Sequence, residues 1–144
     1  MTIIFKIKGQ PPRATAQQKG ARRTRYGIVF YEKDSVKDAK EWYRIGLLSH
    51  RPAEPIHQPT GVALNVWFEF GTKDKKKIGK WKTTKPDTDN MIKALKDVMT
   101  ELKFWDDDKQ VADERVRKKW TTMEKAGVTI VIDTLKERED AEDE

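Results

Sequence analysis

A small single domain of α+β type, a mixed and mainly antiparallel sheet packed against two helices, follows from three features of this sequence. Residues 3–8 and 62–70 alternate apolar and polar side chains, the two-residue period of strands with one face on a core. Val36, Ala39, Trp42, Tyr43 and Leu47 recur at the helical period, as do Ile92, Leu95, Met99 and Leu102. The 144 residues show no internal repeat and no domain boundary, and suit one domain with a modest core.

In chain order, residues 3–8 give a first strand with Ile3, Phe5 and Ile7 on one face. Residues 10–25 are polar and basic, punctuated by Pro11, Pro12 and Gly20, and read as a long loop in which Arg22, Arg23 and Arg25 cluster. Residues 26–31 are extended again. Ser35 stands where a cap for the first helix belongs. A proline-containing linker over 50–60 leads to the strand at 62–70, where Val62, Leu64, Val66, Phe68 and Phe70 share a face. A basic loop over 71–82 holds Lys73, Lys75, Lys76, Lys77, Lys80 and Lys82 around Trp81. The second helix begins near Asp87. Residues 110–120 and 128–133 read as closing strands, a hairpin turning near residues 124–127.

Composition narrows the function. Without cysteine there is no disulfide and no thiolate metal site. No apolar run approaches the roughly 18 residues of a membrane span, and the N-terminus lacks a signal-peptide pattern, so a soluble, cytoplasmic protein is expected. The net charge is +6, but the last nine residues hold six acids and two bases. Residues 1–135 therefore carry 28 bases and 18 acids, a net of +10. That body forms the expected domain, and residues 136–144 an acidic, solubilising tail. A basic body favours a nucleic-acid partner, and the segments 22–25, 73–82 and 115–119 are the candidates for gripping it. No Gly-rich phosphate loop points to a nucleotide cofactor, and His50 and His57 read as linker residues.

Against this basic background, residues 85–111 gather acids. Asp87 and Asp89 stand at the mouth of the second helix beside Asn90, Lys93 follows one turn later, and Asp106, Asp107 and Asp108 follow the helix's end. Two carboxylates ~4 Å apart repel by about 4 kcal/mol at an effective dielectric of ~20. Such a cluster calls for a cation or a proton. One of Asp87 and Asp89 is explained by capping, Asp89–Lys93–Asp97 by a surface ion-pair ladder, and the triple aspartate by solvation. The combination points instead to a divalent metal beside a polyanion, the chemistry of a nuclease. The apolar pair Phe104-Trp105 would anchor the turn that carries the later acids back toward the helix mouth.

KPDTDNMIKALKDVM at 85–99, with FWDDDKQV at 104–111, closely resembles the RusA family of Holliday-junction resolvases. The family pattern is met by Asp87, Asp89, Asn90, Lys93, Asp97, Trp105, Asp107, Asp108, Gln110 and Val111; Asp106 departs from it, standing where a non-acidic residue is expected. The resemblance implies a RusA-like fold and a Mg²⁺-dependent endonuclease, with Mn²⁺ as a substitute, working as a homodimer. It also implies paired symmetric nicks in four-way DNA junctions during recombination and repair. Carried over by position, Asp87, Asp89 and Asp108 are the essential carboxylates and Lys93 the essential cation. The metal ligands are Asp87, Asp89 and Asp108, with Asp107 as the alternative. Arg22, Arg23, Arg25, Lys76, Lys82 and Arg117 are the expected DNA contacts. A non-catalytic DNA-binding module, or a metal nuclease for flaps or forks, is the alternative.

Overall fold

The structure, a computed structural model, describes residues 1–14 and 19–136; apart from Lys136, the acidic tail lies outside the described residues. The described residues form β1 (Thr2–Lys8), β2 (Lys19–Thr24), β3 (Gly27–Glu32), α1 (Asp34–Leu48), β4 (Gly61–Gly71), α2 (Thr88–Glu101), β5 (Val111–Thr121) and β6 (Gly127–Leu135). The main sheet has the order β1–β6–β4–β5, with β6 antiparallel to both β1 and β4, and β5 parallel to β4. The α+β class expected from the sequence is the one observed.

Alternation builds the core. Val62, Leu64, Val66, Phe68 and Phe70 of β4 join Phe5, Ile7, Val128, Ile130 and Ile132 on one sheet face. Against it pack Tyr43 and Leu47 of α1 and Met91, Ile92, Leu95, Val98 and Met99 of α2. Arg44 of α1 reaches Glu101 of α2 through Nε at 2.6 Å and Nη2 at 3.1 Å, a two-pronged link between the helices. The other sheet face carries Ile4, Asn65, Trp67, Arg115, Arg117 and Lys119.

Three local expectations are corrected. Part of the segment read as a loop over 10–25 is β2, paired with β3 in a separate two-stranded ribbon. Its turn depends on Gly27 at φ +121°, a conformation that favours glycine, and on Thr24 Oγ1, which accepts from Tyr26 N and donates to Gly27 O. Ser35 does not cap α1; Lys33 holds that position, without a side-chain bond. β5 and β6 do not form a hairpin, because β4 lies between them. The physical reason is α2: a helical crossover returns the chain parallel to β4, which leaves β6 to pair on β4's other edge.

Candidate active site at the mouth of helix α2

Residues 79–82 run along the outer edge of β5. Gly79 N donates to Trp120 O at 2.9 Å, Trp120 N to Lys80 O at 2.9 Å and Lys82 N to Lys118 O at 3.2 Å. Strand-like alternation then sends Trp81 to the open sheet face and Lys82 toward the core. Lys82, expected among the DNA contacts, is instead buried at 2% exposure with its ammonium turned inward. Its ammonium donates to Thr84 Oγ1 at 2.6 Å and to Lys85 O at 2.5 Å, and lies 4.6 Å from the Trp120 ring centre and 5.1 Å from that of Phe70. Burial, and then the positive charges of Arg13, Lys118 and Lys77, push its pKa down. Lys118 Nζ donates to Thr84 O and, at 2.6 Å, to Pro86 O. Two ammonium groups thus hold the three residues that lead into α2.

At the end of this clamp Asp87 occupies the helix N-cap position with φ −75° and ψ 145°. Its backbone carbonyl accepts from Met91 N at 3.1 Å, but its carboxylate makes no capping bond. The capping explanation for Asp87 therefore fails at the side chain, although it holds for the backbone. Asp89 is exposed in the first helical turn. Neither carboxylate has a partner among the described residues, and both sit at the positive end of the helix dipole. Lys93, also exposed, is one turn on; its Nζ lies 3.5 Å from Asp97 Oδ1, a long contact that a phosphate would displace at small cost.

The three later aspartates separate by role. Asp106 accepts from Gln58 N at 2.8 Å and faces His57 Nδ1 at 3.1 Å, and these bonds, the backbone one foremost, hold its pKa below the usual carboxylate value. It ties the linker to the turn. Asp107 caps a 3₁₀ turn, Asp108–Gln110, by accepting from Lys109 N at 2.9 Å. Gln110 is buried; its Oε1 accepts from Asp106 N and Asp107 N, and its Nε2 donates to Ile56 O and Thr60 O. Asp108 alone of the three keeps a carboxylate without a bond among the described residues.

Asp108 does not return to the helix mouth. Phe104 N bonds Met99 O, and the Trp105 indole donates to Thr100 Oγ1 at 2.7 Å, so the turn stays at the C-terminal end of α2. β5 then runs back along the helix: Lys96 pairs with Glu114 at 2.7 Å, and Lys118 reaches Pro86. A 14-residue helix spans roughly 21 Å. Asp87 and Asp89 thus stand at one end and Asp107 and Asp108 at the other. Among the described residues no three His, Cys, Asp or Glu side chains are grouped to hold a metal ion.

The expected DNA contacts are spread out. Arg22 and Arg23 are on β2, Arg25 lies over the Tyr26 ring in the ribbon's turn, and Lys76 is exposed in the loop after β4. Arg117 lies 3.9 Å from the Trp67 ring centre and donates to Asn65 Oδ1. Sequence reasoning missed Lys82 and Lys118 as supports of the acidic loop. The order Trp81-Lys82 beside an edge strand, one side chain out and one in, was the available signal.

The family model for Endodeoxyribonuclease RusA matches residues 10–133, spanning the ribbon, the lysine-held loop, α2 and the triple-aspartate turn. The chain belongs to the RusA family. Over 111 residues this RusA-family chain is 33% identical to the crossover junction endodeoxyribonuclease rusA of Lactococcus phage r1t, covering 77% of the chain and 83% of the relative. It is 32% identical over 127 residues to the uncharacterized protein YqaN of Bacillus subtilis (strain 168), covering 81% and 86%. As a RusA endodeoxyribonuclease it acts on DNA phosphodiesters, a substrate suited to a basic body. No described helix is long and apolar enough to cross a membrane.

Proposed function

We propose that this protein resolves four-way DNA junctions as a homodimer that uses Mg²⁺ to hydrolyse one phosphodiester in each of two opposed strands. The observation that carries the reading is the pair of carboxylates, Asp87 and Asp89, unbonded at a lysine-braced helix mouth with Lys93 one turn behind. Oxygen donors of this kind suit Mg²⁺, which is held through one or two carboxylates plus substrate phosphate rather than by an all-protein cage. When bound, the ion would polarise the phosphate and lower the pKa of the attacking water. Asp87 and Asp89 would hold the ion, and the Lys82–Lys118 clamp fixes the backbone that leads into them. Lys93 donates to the phosphoryl oxygens and stabilises the extra negative charge of the transition state.

Asp108 enters this reading through the second copy. It stands at the far end of α2 from Asp87, so a two-fold axis that sets the two helices side by side in opposite senses would bring each Asp108 to the other's helix mouth. Two such composite sites related by two-fold symmetry match the near two-fold symmetry of a four-way junction.

The test uses purified protein with labelled four-way junction, linear duplex and flap substrates, each with Mg²⁺ or EDTA. Paired symmetric nicks confined to the junction, and lost in EDTA, are expected. Asp87→Asn should reduce cleavage by at least a hundredfold while junction binding stays level or tightens, because a repelling charge is gone. A D87N protein that cuts at the normal rate would sink the assignment, and flap cutting in preference to junction cutting would move the protein to another branched substrate.

A further inference from the structure

Five residues before Pro86, the loop that leads to the acidic site presents Trp81 to solvent. This indole is 63% exposed, high for so large an apolar side chain. It is not loosely placed. Its backbone is pinned by the bonds of Gly79, Lys80 and Lys82 to β5, and its ring stacks on Trp67 with centroids 5.8 Å apart and planes 12° from parallel. Trp67 is itself fixed, since Arg117 lies 3.9 Å and Lys119 5.0 Å from its centroid. A tryptophan whose ring is supported on one side and largely open elsewhere is a stacking surface.

The charge around the stack is positive. Arg115, Arg117 and Lys119 share the open face on β5, against Glu69, which is opposite Lys119 on β4, and Asp113; Lys6 and Lys8 add positive charge to the same face from β1, at the sheet's other edge. Arg117 Nε is buried without a hydrogen-bond partner. A second copy of this chain would bring like charges together here, whereas a nucleic-acid strand meets cations for its backbone and an indole for a base. Adjacent residues of β5 also connect the two surfaces: Lys119 faces Trp67, while Lys118 holds the carbonyls before Asp87. A strand that rounds this sheet edge passes the stack and the acidic site in succession.

We propose that the Trp81–Trp67 stack, with Arg117 and Lys119 beside it, is a binding platform for one unpaired nucleotide of the DNA substrate next to the scissile phosphate. This rests on the junction reading for the substrate's shape, but not for the platform itself, because any single-stranded nucleotide can stack there. A fully paired duplex offers no free base face, so the platform favours branched over linear DNA.

The test measures binding without cleavage, in Ca²⁺ or EDTA, of wild type, Trp81→Ala and Trp81→Phe. The ligands are a four-way junction with 2-aminopurine at the crossover, a matched duplex and a short oligo-dT strand. Trp81→Ala should lower affinity for junction and oligo-dT about tenfold or more, leave duplex affinity unchanged and abolish the quenching of 2-aminopurine expected with wild type. Trp81→Phe should restore most of both. Equal losses on all three ligands, or no loss on any, would overturn the platform. If wild type binds junction and duplex equally, the junction reading fails, and the oligo-dT comparison still decides the platform. Melting temperatures check that the variants fold; if Trp81→Ala does not, Trp81→Phe against Trp81→Leu makes the same comparison.

Discussion

A buried ammonium is costly unless every proton finds an acceptor or a ring, and Lys82 meets that demand with Thr84 Oγ1, Lys85 O and the faces of Trp120 and Phe70. What the protein gains is a fixed approach to Asp87. Lys82→Met keeps the length and removes the bonds, stranding a carbonyl and a hydroxyl. It should cost about 2–4 kcal/mol of stability and raise the Mg²⁺ concentration for half-maximal cleavage. Denaturant unfolding and a metal titration check the two effects, and amide exchange over residues 84–91 should quicken. Asp106 gives a second prediction. Its pKa is depressed in the fold, so the stability it contributes is present above its unfolded value of about 3.9 and is lost as pH falls through the lower folded value. Asp106→Asn should therefore lower stability at neutral pH and flatten its decline below pH 4, as followed by urea unfolding across pH. At this scale the acidic residues are legible in the sequence as a set, but their division of labour is not. Spacing cannot tell which of three adjacent aspartates bonds Gln58 N, which caps a 3₁₀ turn and which stays open, because those roles are set by Gln110 and the distant linker.

Strands with a strict period of two are legible because burial on one face forces that pattern: β1 and β4 fall where Ile3-Phe5-Ile7 and Val62 to Phe70 put them. β2 escapes because its sequence, KGARRT, has no apolar alternation to display. Only its pairing with β3 makes it a strand. The partner of β6 is hidden for a related reason, since adjacency in sequence suggests a hairpin and only the helical crossover of α2 rules it out. The β2–β3 ribbon forms a separate basic arm, with Arg22, Arg23 and Arg25 beside exposed Tyr26, Ile28 and Phe30. If the arm holds phosphates, replacing its three arginines by glutamine should weaken junction binding. The slope of log affinity against log salt should also fall by about one for each phosphate the arm no longer neutralises. Fluorescence anisotropy over a series of salt concentrations measures both. An unchanged slope would put the DNA elsewhere.

The placement of Asp87 and Asp108 at opposite ends of α2 becomes a statement about the whole molecule once both are required for cleavage. Within one chain the roughly 21 Å of helix between them is too long for a shared ion. Between two chains it would become an advantage, because neither copy alone would have a complete site and nicking would wait on assembly. A mixed dimer separates the possibilities. Asp87→Asn and Asp108→Asn homodimers should both be inactive, each having one defect in each of its two sites. A heterodimer of the two variants, if sites are shared, has one site with both defects and one with none. Mixing and re-equilibrating the inactive proteins should therefore restore nicking of one junction strand, approaching half of wild-type first-strand activity for the heterodimer fraction. If every site is built from a single chain, the heterodimer has a defect in each and stays inactive. Junction cleavage by the mixture, read on a gel that distinguishes the two strands, gives opposite answers for the two arrangements. Recovery of one nick without its symmetric counterpart is the pattern that only a shared site produces.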